Sequence, residues 1–121
     1  MLSLIPDLPP GVVGVEAHGE VSADDYEQVL VPAVEAAHAA APGGKVRILY
    51  VFEGKPDLST GAAWQDARLG LRHVRDWERI AVVSDADWLR RAIHGLAWMI
   101  PGDVRVFGTT ELDAARSWVT A

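Results

Sequence analysis

Hydrophobic and polar positions follow a period of two over several stretches of the chain. Residues 2–5, LSLI, are a short apolar run, and residues 12–21, VVGVEAHGEV, alternate with many β-branched side chains. This pattern predicts two strands, which we expect to pair antiparallel across the turn DLPPG. Apolar runs at 45–52, 79–84 and 103–108 predict three further strands, of the buried kind found in parallel sheets.

Between these strands the period changes to that of a helix. Ser22 with Asp25 three residues later forms a short version of a capping box and predicts the start of a first helix. Apolar positions from Tyr26 to Ala37 fall on one helical face. Pro32 lies within this pattern and predicts a kink, because it lacks a backbone donor.

Three more helices are predicted further along. The second runs from Ser59 or Thr60 to Val74, and the third covers 86–100, ending at the Pro-Gly pair that follows. We expect Ser84 or Asp85 to cap the third helix. A fourth helix is predicted to begin at Thr110, with Asp113 three residues on, and to continue through about Val119.

The resulting order of elements is ββαβαβαβα. Strands alternating with helices predict an α/β fold with a mostly parallel sheet of about five strands, the first antiparallel. We expect four helices to cover it in a two-layer sandwich. The chain has 121 residues, which suits a single domain over 1–121 with one core.

Composition excludes several classes of function. The formal net charge is −6, there is no cysteine, and residues 1–40 hold seven acids but no Lys or Arg. An acidic chain without a dense basic patch is a poor nucleic-acid binder, and disulfides and thiolate chemistry are excluded. No run reaches the roughly 18 apolar residues of a transmembrane segment, and no signal peptide is evident. We therefore expect a cytoplasmic location.

Four strings carry a resemblance to a known family. They are IPDLPPGVVGVEAHGEVSADDYEQVLVPAVEAA, VRILY, AAWQDARLGLRHVRDWERIAVVSDADW and PGDVRVFGTTELDAARSWV. Over nearly its whole length the chain resembles the SpoIIAA-like family, part of the wider STAS/Sec14-like group. The resemblance implies a small bacterial cytoplasmic domain with this α/β fold.

What the resemblance implies about function divides in two. STAS relatives bind partner proteins and can be switched by phosphorylation at the start of the second helix, which implies a non-enzymatic regulatory or interaction module. Sec14-like relatives bind lipids in an apolar pocket, which implies as the alternative a binder or carrier of a hydrophobic anionic ligand such as a lipid. A homodimer or a protein partner is expected on the first interpretation.

The junction before the second helix is a candidate switch. In STAS switches the phosphorylated residue lies in a D-S-S-G junction, and the nearest string here is DLSTG at 57–61. Ser59 and Thr60 are the candidates, although Leu58 replaces the first Ser of the pattern. A phosphate at a helix N-terminus would meet free N–H groups. The alternative is that one of the two residues is only the N-cap.

Arginines along the second helix form a candidate binding face. Arg68, Arg72 and Arg75 are spaced i, i+4, i+7 and share one face, with Trp64 one turn before. Such a face suits a phosphate, a carboxylate or an anionic head group. It also suits an acidic partner, including the acidic half of a second copy. The alternative is a solvated face whose stems cover apolar surface.

Apolar residues on polar arcs indicate a candidate interface. Trp98 falls with His94 on the polar side of the third helix, and Leu69 falls on the polar side of the second. Trp98 and Leu69 could be buried there against a second subunit or a ligand. The alternative is that they are buried against other parts of the same chain.

Chemistry-bearing motifs are otherwise absent from the sequence. The four histidines lack the spacing of metal ligands, and no nucleophile elbow, P-loop or dinucleotide fingerprint occurs. Asp85 and Asp87 follow a strand end, where ligand sites often form, but capping of the third helix is the simpler interpretation. We expect no cofactor, no metal and no catalytic activity.

Overall fold

A mostly parallel sheet forms the centre of the α/β fold. The computed structural model describes residues 1–19, 21–41, 43, 45–53, 77–96 and 103–121. Within them the strands are β1 (Leu2–Leu4), β2 (Val12–His18), β3 (Val46–Glu53), β4 (Trp77–Val83) and β5 (Asp103–Phe107). They lie in the order β1-β2-β3-β4-β5. β1 is antiparallel to β2 and the other pairs are parallel, which confirms the predicted sheet.

Helices connect and follow the strands. The described ones are α1 (Ala23–Asp25), α2 (Val31–Ala40), α3 (Asp87–Leu96) and α4 (Leu112–Thr120), with a π-helical turn at Tyr26–Leu30 and a 3₁₀ turn at Thr109–Glu111. The predicted second helix, residues 59–74, lies outside the described residues, as does the end of the predicted third. The expected total of four long helices therefore stays a prediction.

The first helical stretch begins where the capping box predicts. The amide of Ser22 donates to Oδ2 of Asp25 at 3.0 Å, and the amide of Asp25 donates to Oγ of Ser22 at 3.2 Å. These reciprocal bonds occupy amides that a helix start leaves without a helical partner. The backbone N–H of Ser22 also holds the pKa of the Asp25 carboxyl below its usual value.

The disturbance expected at Pro32 takes the form of a widened turn. The amide of Val31 donates to the carbonyl of Tyr26, five residues earlier, rather than four. Pro32 has no N–H to continue the regular ladder, and a single π-helical turn is one way for a helix to absorb an irregularity.

The apolar core is divided between the two faces of the sheet. Alternate residues of β3 point to opposite sides. Ile48 and Tyr50 pack in a cluster with Leu30 and Val34 of the first helical stretch. The other cluster contains the odd-numbered residues of β3 and β4 together with α4, and consists of Leu49, Val51, Ala81, Val83, Ala115 and Val119. Helices therefore cover both faces of the sheet.

The expectation of a two-layer sandwich is wrong in this respect. With strands in linear order, right-handed crossovers place the connecting helices on one face. α4 follows β5 and is not a crossover, so the rule leaves it free to pack on the opposite face. α4 packs on that opposite face, where its Ala115 and Val119 belong to the second cluster.

Two arginines from the sheet hold the end of α4 in place. Nη1 of Arg47 donates to the carbonyl of Val119 at 3.2 Å, and Nη1 of Arg79 donates to the carbonyl of Trp118 at 2.6 Å. The guanidinium of Arg79 also lies 5.5 Å from the centre of the Trp118 ring. The last carbonyls of a helix lack partners within it, and these side chains supply them.

A pair of tyrosines lies inside the first cluster. The hydroxyls of Tyr26 and Tyr50 are hydrogen-bonded to each other, and the ring of Tyr50 stacks on Phe52 with centroids 4.3 Å apart. Burial raises the pKa of both hydroxyls. Both side chains thus stay neutral and serve the core.

Candidate functional site

Four parallel strands end at the same edge of the sheet. The last residues of β2 and β3 are His18 and Glu53, and β4 and β5 are followed at once by Ser84 and Gly108. We call this the carboxyl edge and include the adjoining side chains. Its members are Glu16, His18, Glu53, Ser84, Asp85, Gly108 and Thr109. In open α/β sheets this is the edge at which ligands bind.

One end of the carboxyl edge carries a histidine between two glutamates. Glu16 and His18 are two residues apart on β2 and so share a face, and His18 is directly paired with Glu53 of β3. Nδ1 of His18 is hydrogen-bonded to Oε2 of Glu53, and Nε2 lies 3.9 Å from Oε2 of Glu16. We call these three residues the Glu–His–Glu cluster.

The Glu–His–Glu cluster is open to solvent. The side chain of Glu53 is 64% exposed, that of Glu16 40% and that of His18 37%. One potential ligand atom from each residue lies within 4.8 Å of the others. Sequence reasoning missed this grouping because it compared the histidines only with one another. The sequence did contain a signal for it. Glu16 and His18 are two residues apart in a predicted strand, and Glu53 follows at the end of the next predicted strand.

The loop after β4 is tied to the turn after β5. The carboxylate of Asp85 accepts hydrogen bonds from the amide of Thr109, at 3.0 Å, and from its hydroxyl. These bonds hold the pKa of Asp85 below its usual value, and the bond from the hydroxyl has the larger effect. Asp85 is thus bonded to Thr109, and Oγ of buried Ser84 accepts from the amide of Ala86, the residue before α3, at 3.1 Å. That Ser84 or Asp85 caps the third helix stays a prediction.

The start of the last helical segment also differs from expectation. The amide of Gly108 donates to Oε1 of Glu111 at 2.9 Å, and the amide of Glu111 donates to the carbonyl of Gly108 at 2.9 Å. The turn thus begins at Gly108, two residues before the predicted cap at Thr110. The bonds from Thr109 to Asp85 fix the chain at that earlier point, and nothing in the local pattern records them.

Charge along the described carboxyl edge is mainly acidic. Exposed carboxylates stand at or beside the strand ends and at the helix starts that follow, and they are Glu16, Glu53, Asp24, Asp85 and Asp87. At the opposite end of the sheet the described charges are mixed, with Lys45, Arg47 and Arg79 beside Glu78 and Asp103. A concentration of one sign of charge at a surface attracts cations and basic partners.

Most residues predicted to form sites lie outside the described part of the chain. Ser59, Thr60, Trp64, Arg68, Leu69, Arg72 and Arg75 fall in 54–76, and Trp98 falls in 97–102. His94 is described and is exposed in the last turn of α3, as is Arg91 one turn before. Both exposures agree with the predicted polar arc of this helix. Its use as an interface stays a prediction.

An apolar cleft lies between the β1–β2 turn and α2. Its volume is about 380 Å³, and its walls include Leu4, Leu8, Ala33 and Ala37, with Asp7 as the charged member. Among the described residues that line it there is no Lys or Arg. This cleft therefore differs from the arginine-mouthed cavity that the lipid-carrier alternative predicts.

None of the described helices is both long and apolar enough to cross a bilayer. The family model that matches the chain is SpoIIAA-like, over residues 12–120. No curated protein and no solved structure matches it. The family match agrees with the resemblance carried by the sequence strings and covers the whole sheet from β2 onward.

Proposed function

The chain belongs to the SpoIIAA-like family, and from this premise we propose that it is a STAS-type regulatory module that acts by binding protein rather than by catalysis. The observation that carries the proposal is the acidic carboxyl edge. It presents Glu16 and Glu53 from β2 and β3, and Asp85 from the loop that follows β4. Ser59 and Thr60, the candidate switch residues, follow Glu53 by six and seven positions in the chain.

The described titratable groups support binding more than catalysis. Catalytic acids and bases are typically tuned by burial or by charged neighbours within a cleft. Here the groups with a shifted pKa have structural explanations. Asp25 and Asp85 accept hydrogen bonds at helix starts, while Tyr26 and Tyr50 are buried in the core.

We take the partner to be a second copy of this chain, because the sequence supplies both complementary surfaces. Arg68, Arg72 and Arg75 share a helical face by their spacing, and the carboxyl edge offers exposed carboxylates. Opposite charges on one chain suit a two-fold dimer, in which each contact occurs twice. Trp64, Leu69, His94 and Trp98 are the further residues proposed to take part in this contact. A cytoplasmic location belongs to the same proposal.

A charge-swap experiment tests the pairing. Native mass spectrometry and sedimentation equilibrium would measure the dimer dissociation constant of the wild type, of Glu53→Arg and of Arg68→Glu. We expect each single change to weaken the dimer at least tenfold and the combination to restore it. Asp103→Arg changes the same charge at the far end of β5 and serves as the matched control.

Two outcomes would reject the homodimer. A wild-type chain that stays monomeric at all concentrations would reject self-association. A double variant no tighter than its single parents would reject this particular contact.

Ser59 and Thr60 are proposed to regulate the same contact. Phosphorylation adds up to two negative charges to this junction, which would disturb a docked partner. We expect the pair Ser59→Glu and Thr60→Glu to weaken the dimer relative to the uncharged pair Ser59→Gln and Thr60→Gln. Equal dissociation constants would reject the switch.

The second candidate function, a carrier of a hydrophobic anionic ligand such as a lipid, rests on the Sec14-like resemblance, since the described lining of the apolar cleft has no Lys or Arg. In that case Arg68, Arg72 and Arg75 would bind the head group, and the ligand would be retained during purification. Native mass spectrometry separates the two candidates, since a lipid-like adduct favours the carrier and a bare dimer favours the interaction module.

A further inference from the structure

The Glu–His–Glu cluster has the composition of a metal site, and we propose that Glu16, His18 and Glu53 bind a divalent transition-metal ion of the zinc type. One imidazole nitrogen and two carboxylates are donors that Zn²⁺ accepts. The proposal does not rest on dimer formation or on the phosphorylation switch, although Glu16 and Glu53 also belong to the surface proposed for the dimer.

The distances allow one ion to reach all three residues. Zinc bonds to nitrogen and oxygen are about 2.0–2.2 Å long, so ligand atoms around a tetrahedral ion are about 3.4 Å apart. The three candidate atoms already lie within 4.8 Å of one another. Small rotations of the exposed glutamates close the remaining gap. The ion would take the place of the hydrogen bond between Nδ1 of His18 and Oε2 of Glu53.

The charges around the cluster favour a cation. Two carboxylates approach a single imidazole, and within the described part of the chain their ion pairs are with His18 alone. Two carboxylates this close to one side chain repel each other. A bound dication offsets both charges at once.

The backbone beneath the cluster is fixed before any ion arrives. β2 is hydrogen-bonded to β1 on one side and to β3 on the other, and the pairing of His18 with Glu53 closes the parallel ladder. Only side chains have to adjust, and a site built on strands is better ordered than one built on loops. Exposure leaves at least one coordination position for water, as in open zinc sites.

The donor set also predicts which ions bind. Ca²⁺ and Mg²⁺ prefer oxygen ligands alone, whereas an imidazole favours Zn²⁺ and its transition-metal neighbours. Removing the imidazole should therefore abolish the preference for Zn²⁺ over Ca²⁺ as well as the affinity.

Isothermal titration of the tag-free, EDTA-treated full chain with ZnCl₂ and with CaCl₂ tests the proposal. We expect one Zn²⁺ per chain, bound more tightly than Ca²⁺. His18→Ala and Glu53→Gln should each weaken Zn²⁺ binding about tenfold or more, since loss even of outer-shell partners costs about that much. His38→Ala and His94→Ala, which lie on helices away from the cluster, should leave the affinity unchanged.

Circular dichroism would check that each variant is folded. If His18→Ala does not fold, Glu53→Gln still tests the proposal, because glutamine has nearly the same size as glutamate. No saturable Zn²⁺ binding by the wild type would overturn the proposal. So would undiminished binding by Glu53→Gln, or equal weakening by His38→Ala. Repeating the dimer measurements in EDTA would test the proposed function separately, because no metal is then present.

Discussion

The carboxylate of Asp85, which follows β4, accepts hydrogen bonds from both the amide and the hydroxyl of Thr109, which follows β5. One side chain thus joins the loops that leave two adjacent strands. Gly108 fits closely against the same carboxylate, because a Cβ built at that position would lie 3.2 Å from Oδ1 of Asp85. The positions of α3 and α4 after the sheet are linked through this contact.

Loss of that contact should destabilise the domain. We expect Asp85→Ala to lower the urea concentration at the unfolding midpoint, because the amide and hydroxyl of Thr109 lose their acceptor. Asp103→Ala removes an exposed carboxylate from the start of β5 and is the matched control. A shift no larger than that of the control would contradict the structural role assigned to Asp85.

The same contact predicts how stability depends on pH. Hydrogen bonds from Thr109 lower the pKa of Asp85 below its ordinary value of 3.8, so the unfolded chain takes up the proton at a higher pH than the folded one. The stability that ionised Asp85 contributes is fully present above pH 3.8 and is lost as the pH falls through the lowered pKa of Asp85 in the folded state. The stability difference between wild type and Asp85→Asn should shrink over that window in urea titrations. A constant difference would contradict this.

The buried tyrosine pair should behave as a unit. Tyr26→Phe and Tyr50→Phe each remove one partner of a buried hydrogen bond, and we expect each to cost about 1–2 kcal/mol of unfolding free energy. The double variant should lose less unfolding free energy than the two single variants added together, because it removes both hydroxyls of the hydrogen bond at once. Urea unfolding of all four proteins measures the coupling, and strict additivity would argue against the bond.

Two glycines should respond oppositely to alanine. A Cβ at Gly14 would lie 2.5 Å from Cδ1 of Leu8 and 2.8 Å from Cβ of Ile5, so Gly14→Ala should destabilise by about 1–3 kcal/mol through overpacking. Gly95 is exposed in α3 with nothing near its Cβ position, so Gly95→Ala should stabilise by up to about 1 kcal/mol. Thermal unfolding compares them, and the same sign at both positions would contradict the packing described.

Local signals predicted the parts of the fold that depend on neighbouring residues. The strands follow from apolar runs and alternation, and the first helix follows from Ser22 and Asp25, whose reciprocal bonds need only three residues of chain. The antiparallel start also follows, because a short turn separates β1 from β2.

Features that depend on distant residues were not predictable in this way. Asp85 bonds to a residue 24 positions later, and α4 packs on the far face against apolar side chains from β3 and β4. The Glu–His–Glu cluster likewise depends on the register that places Glu53 opposite His18. A sequence pattern contains the residues but not the alignment of the strands that carry them.

Because the strands lie side by side in chain order, the sheet can be assembled in the order in which a ribosome delivers it. Among the described helices, the one that covers the face formed by Leu49, Val51, Ala81 and Val83 is α4, which follows β5 in the chain. A nascent chain halted after β5 would lack this cover. Arg47 and Arg79 bind the end of α4 and so help to keep it on that face once it has been synthesised.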